Sequence, residues 1–178
     1  MQLNMVQDLA ARTLLVILVA AVVQDFMYMK ISNRLILMGI LFSLAFGFMT
    51  GGLRQVLYVL VNISFPVFVL YLFYLLGVIG AGDIKLFSII GGFTNFKLLT
   101  GCMFYSFVAA AVIAVGKMLY NRNLRISVFK AGIFFRSIPR EGLVSYHKEW
   151  AERRNLMHFS VPILIGYMVA VLHWKLYR

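Results

Sequence analysis

Apolar residues occur along this chain in blocks that can be measured against a bilayer. Leu9 to Tyr28 is apolar apart from Arg12, Thr13, Gln24 and Asp25, and a helix of about 20 residues crosses a hydrocarbon core of about 30 Å. A second run extends from Leu35 to Met49 and stops at Thr50-Gly-Gly52. A third covers Val56 to Val78, with Pro66 inside as an expected kink whose freed carbonyl a neighbouring helix can satisfy. Ile84 to Phe93 is short, only about 15 Å of helix, before the expected break at Gly91-Gly92-Phe93-Thr94-Asn95. Phe96 to Leu119 carries small residues at Ala109, Ala110, Ala111, Ala114 and Gly116, as suits close helix packing in lipid. After a polar, basic stretch over 121–157, His158 to Leu176 is apolar again, with Pro162 in its first turn, where proline is tolerated. The pattern predicts an all-α membrane protein, a polytopic bundle of about six transmembrane helices forming a single domain over residues 1–178.

Composition agrees with the pattern: the 178 residues are 62% hydrophobic and 13% charged, about half the charged fraction of a soluble domain. The first run follows Asp8 and not a basic segment, and is longer than a signal peptide's apolar region, so it is expected to stay in the mature protein. The single Cys102 permits neither an internal disulfide nor a cysteine zinc site, and reads as packing.

A net charge of +11 would suggest nucleic acid in a soluble chain. In a membrane protein it is read as topology. Six crossings place Lys30, Arg34, Lys85, Lys117 and the basic residues of 121–157 on one face, leaving Arg12, Arg54, Lys97, Lys175 and Arg178 opposite. The first face is then cytoplasmic, both termini lie outside, and nucleic acid is no partner. Within 121–157, Ile126, Phe129, Ile133 and Phe134 would form one face of an interfacial helix suited to anionic lipid.

Of six acidic residues, Asp8 is near the terminus and three glutamates lie in the basic stretch, which leaves Asp25 and Asp83 at membrane depth. An acid there costs at least a few kcal/mol and marks a functional site by default. Asp83 could also cap a helix beginning at Ile84. Asp25 ends the first crossing and Asp83 begins the fourth, so parity brings both to the cytoplasmic level. Two carboxylates held close share a proton, one accepting from water while the other donates to a carbonyl. Around Asp83, Gly80 and Gly82 would allow unusual backbone angles and the close approach of a peptide. No set of His, Cys or acid residues has metal-ligand spacing, so neither metal nor cofactor is expected; His147, His158 and His173 read as interfacial or packing residues.

Gly80-Ala-Gly82-Asp83-Ile-Lys85 resembles the GxGDxK motif of type IV prepilin peptidases, membrane aspartyl proteases that process pilins; presenilin-type proteases share GxGD alone. Asp25, followed after five residues by Ile31-Ser32-Asn33, is similar to that family's first-aspartate motif, with Ser32 where the family usually has proline. His158-Phe-Ser-Val-Pro162-Ile-Leu-Ile-Gly166 resembles the start of its last helix. The family's longer members carry an N-terminal cytoplasmic domain with paired cysteines, so the resemblance is to the short, peptidase-only form. It implies Asp25 and Asp83 as the catalytic pair, prepilins or pseudopilins as substrates, and a bacterial or archaeal cytoplasmic membrane. Gly80, Gly82, Lys85 and Asn33 are implied as positioning residues, Lys85 orienting Asp83 or a substrate carbonyl and Asn33 supporting the turn after Asp25. Two other classes remain open to the same residues: a proton-coupled transporter subunit, and a non-catalytic assembly protein of a secretion system.

Overall fold

The computed structural model describes residues 2–76, 79–120 and 159–176. The expected interfacial helix of the basic stretch, and His147 and His158, lie outside the described residues. Among the described residues every regular element is a helix. We number them α1 (Gln2–Tyr28), α2 (Asn33–Leu75), α3 (Ala81–Phe93), α4 (Phe96–Tyr120) and α5 (Ser160–Leu176). Residues Met1–Ala109 and His158–Arg178 form one compact unit, which holds the core. Ala110–Met157 form a second, of which only the last turns of α4 are described.

Among the described residues three helical stretches are long and apolar enough to cross a membrane: Asp8–Tyr28, Asn33–Leu75 and Phe96–Lys117. Their outward side chains are large and apolar, Phe68 at 87% exposure among them, a surface that suits lipid and not water. Among the described residues there are five helices where six were expected, because the second and third apolar runs form one element with no loop between them. Helical geometry fails inside α2 only at Gly51 (φ −154°, ψ 18°) and Gly52 (φ 61°, ψ −149°). The second of these is left-handed, which glycine adopts without penalty. The chain reverses there: a methyl group on Gly47 would lie 3.0 Å from Val59 Cγ2, although twelve residues of continuous helix would separate them by about 18 Å. Pro66 introduces no comparable break.

The short fourth run is the centre of the core. From Ile84 to Gly92 only Lys85 escapes burial, and α3 packs on α1, α2 and α5. It starts three residues earlier than the apolar run, at Ala81, and Gly91 and Gly92 lie within it and not at a break. They stay helical because closeness is what they provide. A Cβ on Gly91 would fall on the backbone carbonyl oxygen of Asn62. Pro66, four residues on, has no N–H to offer that carbonyl, and Gly91 packs against it instead. A Cβ on Gly92 would fall on the Ser43 hydroxyl, so the two glycines touch both arms of α2. Between α4 and α5 the close approach is Gly166 against Ser106. Gly101 and Gly116, by contrast, face open space.

Gly91→Ala is therefore expected to lower the unfolding free energy by about 1–3 kcal/mol through overpacking, whereas Gly101→Ala should cause no loss. Thermal unfolding of the purified protein in detergent compares the two; equal midpoints would remove the close approach as a source of stability.

Candidate active site

Asp25 lies in the last turn of α1, which ends at Tyr28. Met29 N–H donates to Asp25 O at 2.9 Å, and Met29 turns the chain out of the helix in the left-handed region (φ 54°), the usual geometry of a helix C-terminus though seldom with a side chain as large as this. The return to α2 is held by two side chains. Ser32 N–H donates to Gln24 Oε1 at 3.0 Å, and Ser32 Oγ caps α2 by accepting from Leu35 N–H at 3.3 Å. The hydroxyl thus makes the local backbone bond expected of a serine in a turn. The left-handed residue of the connection is Met29 and not Asn33. Asn33 Oδ1 accepts from Lys85 Nζ at 2.9 Å, tying the start of α2 to the first turn of α3.

Asp83 occupies the third position of α3 and does not cap a helix beginning at Ile84. Gly80 is the cap residue, with extended backbone (φ −75°, ψ 150°) open to any residue type. Its N–H donates to Asp83 Oδ2 at 3.3 Å, the carboxylate reaching back to the cap as acidic side chains at this position do. Gly80 is needed for space and not for unusual angles: a Cβ there would lie 3.1 Å from Asp83 Oδ2. Gly82 faces Ile31 at ordinary contact distance, so α3 starts directly on the connection that follows Asp25.

Asp25 stands in the last turn of α1 and Asp83 in the first turn of α3, and the contacts of Ile31 with Gly82 and of Asn33 with Lys85 hold the segment after the first acid against the segment around the second. Both acids are half-buried, and two like charges in so poorly solvated a place act on one another more than they would in water. α5 completes the arrangement, its first residue Ser160 donating through Oγ to Asp25 Oδ2 at 2.6 Å. Ser160 and Gln24 were not singled out by sequence reasoning; the only signal for Ser160 was its place in the proline-bearing stretch before Pro162. No group of three His, Cys, Asp or Glu among the described residues could hold a metal ion. His173 lies away from the carboxylates, its Nδ1 2.6 Å from Tyr105 Oη. Chemically, the site offers two half-buried acids, with the Lys85 cation two residues beyond Asp83 on α3.

No curated protein and no solved structure matches the chain significantly. A family model described as the type IV leader peptidase family matches residues 13–115, a stretch that includes Asp25, Asn33, Gly80, Gly82, Asp83 and Lys85. With more than half of its length matched and its helices apolar enough to cross a bilayer, the chain belongs to the type IV leader peptidase family and is a membrane-embedded peptidase.

Proposed function

We propose that this peptidase is an aspartic endopeptidase that removes the leader of type IV prepilin-like proteins at the cytoplasmic face of a bacterial or archaeal membrane. The observation that supports this reading is the fastening of the segment after Asp25 to the first turn of α3, which carries Asp83, through Ile31 on Gly82 and Asn33 on Lys85, in a chain of this family. The dyad shares one proton. The ionised carboxylate takes a proton from water as the water oxygen bonds to the scissile carbonyl carbon, and the protonated one gives its proton to the carbonyl oxygen. The tetrahedral species then collapses: the C–N bond breaks, the amine nitrogen receives a proton from the dyad, and the hydroxyl proton returns to it. One water is consumed, and the pair ends as it began.

The two arms of α2, reversing at Gly51-Gly52, serve as separate crossings, which with α1, α3, α4 and α5 make six. That topology puts Asp25, Asp83 and the basic residues 121–157 on the cytoplasmic side, with anionic lipid as partner of the basic stretch. A prepilin or pseudopilin enters as a membrane-anchored substrate, and no nucleic acid is involved. Lys85, held by Asn33, keeps a positive charge beside the first turn of α3, where it orients the site without touching the reacting atoms.

Removing either acid of a unit costs nearly as much as removing both. Asp25→Asn, Asp83→Asn and the double variant should therefore be similarly inactive on a pilin-leader peptide, while the wild type gives a bell-shaped pH dependence belonging to the pair. Substantial cleavage by either single variant would exclude the dyad. Asn33→Ala and Lys85→Met should each weaken cleavage without abolishing it, and the double variant should lose little more than either alone, since both remove one contact; full additivity would separate their roles. For topology, single cysteines at Met27 and Ala81 in a Cys102→Ser background are expected to react only with a membrane-permeant thiol reagent, and labelling from outside intact cells would reverse the assignment.

A further inference from the structure

Ser160 presents a hydrogen bond that neither the family motifs nor local structure requires. A serine at a helix start usually caps its own backbone. In α5 the N–H of Ile163 is instead met by Phe159 O at 3.1 Å. The hydroxyl of Ser160, in a residue only 1% exposed, reaches across 135 positions of sequence to Asp25 Oδ2. At 2.6 Å the contact lies in the range of an O–H donor bound to a charged oxygen.

Asp25 needs such a partner. It lies in the last turn of α1, where the carbonyl end of the helix dipole opposes a negative charge. Asp83 has the reverse situation at the start of α3. α5 begins at Ser160, so its positive end and its first hydroxyl both face the acid that its own helix disfavours. Ser160 has no other role visible in α5: the tight packing of that helix is made one and a half turns on, by Gly166 against Ser106.

We propose that Ser160 is a positioning residue of the peptidase, fixing the plane of the Asp25 carboxylate against Asp83 by donating to Oδ2. It rests on the dyad reading given above. The bond also makes α5, which lies beyond the family-matched residues 13–115, part of the site.

The experiment is steady-state cleavage of a fluorogenic pilin-leader peptide by the purified full chain in detergent, with Ser160→Ala, Ser160→Cys and Ser160→Thr beside wild type and Asp83→Asn. Cysteine keeps the volume of serine but is a weak donor, whereas threonine keeps the hydroxyl. Loss of a hydrogen bond to a charged group should lower kcat by about ten- to a hundredfold for Ala and Cys with KM unchanged, and Thr should restore kcat. A purely structural Ser160 would give the opposite ordering, with Cys like wild type, or would raise KM and lower the thermal midpoint together. Either result overturns the proposal while leaving the peptidase reading intact, as would failure of all three variants to fold. A wild type that cleaves no pilin leader, or an active Asp83→Asn, removes the dyad reading and this proposal with it.

Discussion

Helices in lipid gain nothing from hiding apolar side chains from one another, so a short helix stays at the centre of a bundle only if its neighbours can come very near. That constraint falls on α3. Thirteen residues long and walled by α1, α2 and α5, it is held at its far end by contacts at backbone distance, Gly91 on the Asn62 carbonyl and Gly92 on Ser43. Asn62 adds a side-chain bond from Nδ2 to Thr94 O at 3.1 Å. Above those contacts sit large, fully buried side chains, Phe87, Leu86, Ile89 and Ile90. With one end clamped and the middle packed, the first turn of α3 has a fixed height, and Asp83 with it.

The other acid is placed by a different device. α1 ends where Met29 leaves the helix, and the connection to α2 is kept short by Gln24 and Ser32. Ile31 of that connection rests on Gly82, and Asn33 binds Lys85. The segment after the first acid is thus fastened to the segment around the second at two points, one apolar and one polar. Rigid support of this kind is what a pair of carboxylates requires if their separation is to be kept against mutual repulsion.

Much of this could be read in the sequence, and what could not has a common physical origin. Block lengths of apolar residues pointed to an all-helical chain, and the rarity of acids singled out Asp25 and Asp83, which lie in the last turn of α1 and the first turn of α3. Misreadings arose where one residue type serves two purposes. Glycine pairs look like breaks: at Gly51-Gly52 the chain does reverse, but at Gly91-Gly92 the absence of a side chain serves packing and the helix runs on. Asn33 was singled out through the motif that follows the first aspartate, but its partner was not, since its oxygen is used across 52 residues by Lys85. Ser160 was invisible for the same reason, since nothing local distinguishes a hydroxyl that caps its own helix from one that reaches another. Long-range partners of small polar residues are a property of the fold and leave no periodicity behind.

The bond between Gly80 and Asp83 carries one more implication. At 3.3 Å it is at the long end for an amide donor, and the oxygen that accepts it belongs to an acid read as a reactant. In the proposed reaction that oxygen has two suitors, the helix start and the substrate carbonyl. Each turnover would loosen the first turn of α3 and each product release would let it re-form, so that the state of one backbone amide, that of Gly80, reports whether the site is empty or engaged. Glycine at this position keeps the exchange unobstructed, because nothing larger than hydrogen stands between the amide and the carboxylate as it changes hands.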